Sequence, residues 1–163
     1  MTPDHPDIRP ATDDDLVGVM RVLDAGLLDA DAETIGRRIA ETEPGSVLVA
    51  DADGRVVGAV VLGERPAWVA EVFAGSVAGD DTGGRDDPDD EHVEAIAVGR
   101  SRRGQGLGTA LLRAARESVV GDLTADFAAS VRPFYESLDC RIETVDDPAS
   151  DGRSPGCRLV ARV

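Results

Sequence analysis

Apolar positions recur along this chain with two different periods. Leu16, Val19, Met20, Leu23 and Leu27 are spaced three and four apart behind Thr12-Asp13-Asp14-Asp15. That spacing predicts a helix with Thr12 as N-cap and acids in its first turn, where they meet the positive end of the helix dipole. Gly26 or the Asp29-Ala30-Asp31 stretch ends it. A second helix is predicted over Ala32 to Glu41, with Ile35 and Ile39 on one face and Pro44-Gly45 as its stop. The pattern then changes. Ser46 to Ala50 and Val56 to Leu62 read as two strands joined by an Asp53-Gly54 hairpin turn. Asp7-Ile8-Arg9 is a short first strand and His92 to Val98 another. Leu107, Ala110, Leu111, Ala114 and Ala115 return to helical spacing.

Further along, Leu123 to Phe127 reads as a strand, and Val131 to Leu138 as a short helix with Pro133 near its start. Arg141 to Val145 and Arg158 to Val163 are two more strands, joined by a polar loop over Asp146 to Gly156. Glu64 to Glu91 is the least regular region. Trp68 to Phe73 there suits an extension strand or a short helix, and the Gly, Asp and Pro-rich stretch Gly79 to Glu91 suits a mobile loop. The order is β-αα-βββ-α-β-α-ββ in one domain over residues 1–163, an α/β fold with a mixed sheet and helices on both faces.

Composition narrows the function classes. At 163 residues and 42% hydrophobic the chain can build one sizeable core. Aromatics are only 3%, so that core must come from Val, Leu, Ile and Ala. There are 32 acidic residues against 17 basic ones, all arginine, for a net charge of −15. Such a surface repels nucleic acid and anionic membranes. The acidity is spread along the chain, as expected for a protein of a salt-rich cytosol; an acidic surface for a polycationic partner is the competing reading. No apolar run reaches membrane-spanning length, and no signal-peptide pattern opens the chain, so a cytoplasmic protein is expected. Cys140 and Cys157 are too few for a disulfide framework and fall at opposite ends of the last hairpin, so they are expected unbonded. His5 and His92 lack metal-ligand spacing, and no metal is expected.

The chemistry concentrates between the fourth strand and the helix after it. Gly104, Gly106 and Gly108 recur at every second position just before a helix begins. A helix N-terminus presents unpartnered N–H groups and partial positive charge. Glycines there let an anion approach the backbone, and Arg102 and Arg103 add positive charge beside it. The chain has no lysine for a P-loop, and the positions needed for Gly-x-Gly-x-x-Gly hold Thr109 or Leu111 instead. What fits is Arg-x-x-Gly-x-Gly, written Arg103-Gly104-Gln105-Gly106-Leu107-Gly108.

This segment resembles the coenzyme A pyrophosphate loop of the GNAT superfamily of acyl-CoA-dependent N-acyltransferases. Val93 to Val98 is similar to the family's central strand, and Phe134-Tyr135-Glu136-Ser137-Leu138 to a second family segment. The resemblance implies a mixed, mostly antiparallel sheet and acetyl-CoA as co-substrate, with no metal. It implies that Arg103, Gly104, Gln105, Gly106, Leu107, Gly108 and Thr109 hold the pyrophosphate. The backbone of Ile96, Ala97 and Val98 then faces the thioester and pantetheine. Tyr135 is implied as the acid that protonates the leaving thiolate. Glu94, an even number of positions before Ile96 and Val98, is placed on their face as candidate base toward an amine acceptor. The family's Leu-Gly-Phe ending is replaced by Asp139 and Cys140, an asparagine common before the tyrosine by Ala128, and a proline after the central strand by Arg100. These departures keep a second function open, a catalytically weak acyl-CoA-binding sensor or scaffold. A homodimer is compatible with the family, although no stripe of apolar residues marks an interface.

Overall fold

The structure is a computed structural model, and it describes residues 6–26, 28, 30–40, 46–69, 89–146 and 157–162. The expected stop at Pro44-Gly45, the loop over residues 79–88 and the loop over residues 147–156 lie outside them. The chain divides into two compact units, Met1–Gly63 with Val93–Val119, and Glu64–His92 with Val120–Val163. The element order is the one the periodicity predicts.

In the first unit the sheet order is β1 (Asp7–Pro10), β2 (Val47–Ala52), β3 (Arg55–Glu64) and β4 (Glu91–Val98). β1 and β3 both pair antiparallel with β2. The Asp53-Gly54 turn has φ of +53° and +77°, the two left-handed residues a tight hairpin asks for. Beyond it the ladder slips by one residue. Asp51 pairs with Val56 and Ala50 with Gly58, which leaves Val57 without a partner on β2. That bulge brings Val56 onto the face of Ala59 and Val61, and all three pack into one core with α1 (Leu16–Ala25) and α2 (Ala32–Ala40). Strict alternation would have put Val56 on the other face.

The other face belongs to α3 (Leu107–Ser118). Gly58 makes room for it: a Cβ there would stand 3.0 Å from Leu111 Cδ1 and 3.5 Å from Leu107 Cδ2. Leu111, Leu112 and Ala115 are fully buried. Each fully buried large aliphatic side chain contributes about 1.5–3 kcal/mol, so many modest terms replace the missing aromatics.

The entry to α1 is a 3-10 turn, Asp13–Asp15, on which the Asp15 carboxylate accepts from the Thr12 N–H at 2.8 Å and the Thr12 hydroxyl at 3.0 Å. Arg9 of β1 donates to Asp15 at 2.7 Å and to Asp51 of β2 at 2.6 Å. The Arg9 hydrogen bonds, helped by the Thr12 donors, hold the Asp15 carboxyl down at about 2.

In the second unit β5 (Leu123–Ala128), β7 (Cys157–Arg162) and β6 (Arg141–Asp146) lie in that order, both ladders antiparallel. A 3-10 turn, Ala129–Val131, leads into α4 (Arg132–Glu136), shorter than the helix expected over Val131 to Leu138. Residues 67–69 are helical, which decides the Trp68 alternative for that stretch. Cys140 is a free thiol, and Asp146 pairs with Cys157 at the far end of the last hairpin from it.

Candidate active site

β4 ends at Val98, and the next N–H, from Gly99, donates to the carbonyl of Val57 at 2.8 Å. The bulged residue of β3 thus anchors the exit of β4. A 3-10 turn over Arg100–Arg102 follows, then Arg103 in extended conformation. Gly104 and Gly106 take φ of +75° and +78°, which L side chains rarely adopt. A Cβ built on either meets no atom within 4 Å. Backbone handedness thus favours glycine at both positions, and the space in front of them is open rather than filled by the protein. Gly106 is the N-cap of α3, and no side chain caps that end. The first N–H groups of a twelve-residue helix are left to an external acceptor. This arrangement fits a pyrophosphate.

Arg103 departs from the simple expectation of a phosphate-facing guanidinium. Its Nε donates to Val98 O at 3.2 Å and its Nη2 reaches Ala25 O, at the C-terminal end of α1, at 3.5 Å. Gln105 Nε2 donates to Ser101 O at 3.2 Å. Both side chains brace the turn from behind. Ala97 is buried in the α1–α2 core, so it can serve a ligand only through its backbone, as the resemblance implies. Ile96 and Val98 are half-buried.

Glu94 carries a partner that the sequence did not announce. Arg38 of α2 donates from Nη2 to Glu94 Oε1 at 2.6 Å, and from Nη1 to the carbonyl of Leu62. Gly63 makes the pair possible, since a Cβ there would land on Glu94 Oε1 and beside Arg38 Nη1, well under 3.0 Å. The Glu94 carboxylate, Ala95 and Ala97 all meet the α1–α2 side. β4 does not keep strict alternation there, so the shared face expected for Glu94, Ile96 and Val98 is replaced by an ion pair with α2.

In the second unit Tyr135 of α4 is 2% exposed. Its ring stacks on Phe127 of β5 with centroids 3.9 Å apart and planes 11° apart, and Phe134 meets it edge-on at 5.1 Å. Burial pushes the phenol well above the usual tyrosine range, and Cys140 and Asp126 push the same way. Asp139, where the family ending has glycine, takes φ of +55°. The backbone keeps the bend that glycine would serve and asks an aspartate to make it. Burial first, then Asp139, raises the Cys140 thiol.

Sequence reasoning also missed a buried histidine network. His92 Nδ1 lies 2.9 Å from Thr124 Oγ1, and Nε2 lies 2.8 Å from Asp126 Oδ1. His92 is more than thirty residues from either partner, so no local motif announces it. Among the described residues no group of three or more His, Cys, Asp or Glu is arranged to hold a metal ion, and no helix is long and apolar enough to cross a membrane.

The acetyltransferase (GNAT) family matches residues 16–138. No curated protein matches the chain in sequence. Among solved structures, Ard1 from Thermoplasma volcanium is similar at 18% identity and a TM-score of 0.65, over 98% of each chain. A ribosomal-protein-alanine N-acetyltransferase from Brucella melitensis is similar at 21% identity and a TM-score of 0.66, over 96% of this chain and 98% of that one. The diaminobutyrate acetyltransferase EctA from Paenibacillus lautus, in complex with L-2,4-diaminobutyric acid and coenzyme A, is similar at 16% identity and a TM-score of 0.66, over 96% and 95%. These are likenesses of fold, a mixed and mostly antiparallel α/β architecture. By the match over most of its length, the chain belongs to the acetyltransferase (GNAT) family and is an acyltransferase.

Proposed function

We propose that the protein transfers an acetyl group from acetyl-CoA to a primary amine, on a small molecule or a protein, by direct attack in a ternary complex. One observation carries this reading: the open, left-handed Gly104 and Gly106 at the uncapped mouth of α3. Backbone N–H groups of residues 104–109 would bind the diphosphate, and those of Ile96 to Val98 the pantetheine and thioester. The amine nitrogen forms a bond to the acetyl carbon as the carbon–sulfur bond breaks. Glu94, held in place by Arg38, takes the ammonium proton directly or through a water. Tyr135 gives its proton to the thiolate. A tyrosine hydroxyl is protonated across the neutral range, so it holds the proton that the thiolate needs.

The ion pair on Glu94 and the burial of Tyr135 also favour a second reading, a catalytically weak acyl-CoA-binding sensor or scaffold of the same fold. Release of free thiol from acetyl-CoA across a panel of amines separates the two. Amine-dependent release is expected; coenzyme binding without it would select the sensor. Within an active enzyme, Glu94→Gln is expected to alter the pH dependence of kcat/KM, and an unchanged profile would assign the base elsewhere.

A further inference from the structure

Arg38 and Glu94 form an ion pair that β3 is shaped to admit. Arg38 Nη2 donates to Glu94 Oε1 at 2.6 Å, and Nη1 donates to the carbonyl of Leu62, so the guanidinium is fixed from two sides. Gly63 follows Leu62 inside β3, and a Cβ there would collide with Glu94 Oε1 and crowd Arg38 Nη1. Glycine inside a strand weakens it and marks places where another group must come close. Stability does not explain the arrangement. The two side chains are 26% and 38% exposed, and an ion pair that open contributes little. Among the described residues no second donor reaches the Glu94 carboxylate. The pair is thus oriented by the protein on one side and open on the other. Glu94 also lies two residues before Ile96, about 7 Å along β4 from the backbone assigned above to the thioester.

We propose that this pair selects the acceptor, and that the acceptor is a free amino acid with its carboxylate one or two carbons from the amine. The inference deepens the proposed function and rests on it, since it takes Glu94 to face the acceptor. A primary amine arrives as a cation at neutral pH. At Glu94 it meets the Arg38 guanidinium as a like charge close by, which disfavours a plain alkylammonium, a polyamine or a lysine side chain. An amino acid avoids that repulsion. Its ammonium lies against Glu94 and its carboxylate against Arg38, so charges alternate around the four groups. The Nη2–Oε1 separation of 2.6 Å suits this fit, because ammonium and carboxylate are comparably close in a short amino acid. Guanidinium is also the cation best shaped for a carboxylate, and it has N–H groups beyond the two already used. The ion pair persists through binding: Glu94 takes the ammonium proton, and the acceptor carboxylate stays on Arg38 as the nitrogen attacks. An amide in place of the carboxylate, as at a peptide N-terminus, lacks the charge that answers Arg38.

Thiol release from acetyl-CoA, measured for free amino acids and for the amides of the same amino acids, tests this. The amide keeps the amine and removes the carboxylate charge. Wild type is compared with Arg38→Gln and Arg38→Lys, each by its acid-to-amide ratio of kcat/KM. The ratio is internal to each protein, so a change in folding or in the setting of Glu94 affects both substrates and cancels. Wild type is expected to favour its best amino acid over the matching amide at least tenfold. Arg38→Gln should lower that ratio at least tenfold, chiefly through KM, and Arg38→Lys should keep part of it. A wild-type ratio near one, or a ratio that Arg38→Gln leaves unchanged, overturns the proposal. Calorimetry with the same acids and amides, coenzyme A present, gives a readout without turnover. Amino acid binding that weakens at least tenfold in Arg38→Gln, with no thiol release from any amine, supports the pair as an amino acid site and strikes the proposed transfer. Release with amines that lack a carboxylate, and none with amino acids, overturns the pair as selector and leaves the proposed function standing. Amino acids that neither bind nor release thiol overturn it as well.

Discussion

Besides the Asp53-Gly54 hairpin, two described stretches bend through the left-handed region of backbone space, and they do it with different residues. The turn before α3 uses Gly104 and Gly106, at φ of +75° and +78°, with open space in front of both. The turn after α4 uses Asp139 at φ of +55°. Aspartate tolerates that conformation at a cost of about 1–2 kcal/mol, which glycine avoids. Handedness alone therefore does not demand glycine in this chain. Its double use before α3 fits a second requirement, that an anion come close to the backbone, which a side chain would block.

That contrast can be broken most decisively at Gly106. Gly106→Val is expected to abolish coenzyme A binding by calorimetry, while Gly54→Val supplies the control. Gly54 has φ of +77° and equally open surroundings, but sits in the β2–β3 hairpin. Both changes should lower stability by a similar amount, on the order of 1–2 kcal/mol or more, and only the first should cost binding. Equal coenzyme affinity in the two variants would return Gly106 to a purely conformational role.

Tyr135→Phe addresses the second stretch. The stacked ring is kept and only the hydroxyl is lost, so the fold should survive. Turnover should fall by about a hundredfold with coenzyme affinity unchanged, as expected for a lost proton donor. Unaltered kcat would leave Tyr135 as packing alone.

Acid probes the first unit. The folded pKa of Asp15 lies below its ordinary value of 3.8, at about 2. Its contribution is therefore complete above pH of about 4 and lost as pH falls through about 2, at most about 2 kcal/mol. Asp15→Asn should flatten the stability profile in that window, measured by denaturant midpoints from pH 5 downward. The smallest effect is expected at Asp139→Gly. Relieving the left-handed aspartate should raise stability by about 0.5–1 kcal/mol, read as an upward shift in Tm. A fall would mean that the Asp139 side chain contributes more than its backbone strain costs.

Much of the first unit was legible in the sequence because its signals are local. Thr12 with Asp15, Asp53 with Gly54, and the glycines at 104 and 106 each act within a few residues, where propensity and turn chemistry apply. Two features were not legible, for a common reason. Arg38 with Glu94, and His92 with Thr124 and Asp126, are brought together only by the fold. The Val57 bulge was hidden differently. The stretch Val56 to Leu62 is apolar on both faces, so no polar residue marks where the alternation slips. Asp139 was visible as a departure from the family ending, but its positive φ was not, because composition carries no dihedral.

That bulge has a consequence for how the hairpin can change. Because Val57 is the odd residue out, the strand on its far side is in phase with the core and the tip is in phase with Val56. Lengthening the loop at Gly54 leaves both phases untouched. Excising Val57 would keep the pairs Asp51 with Val56 and Ala50 with Gly58, and Val56 facing the core, but would withdraw the carbonyl that secures Gly99. The hairpin's own register thus survives either change, and the cost of losing the kink falls on the exit of β4.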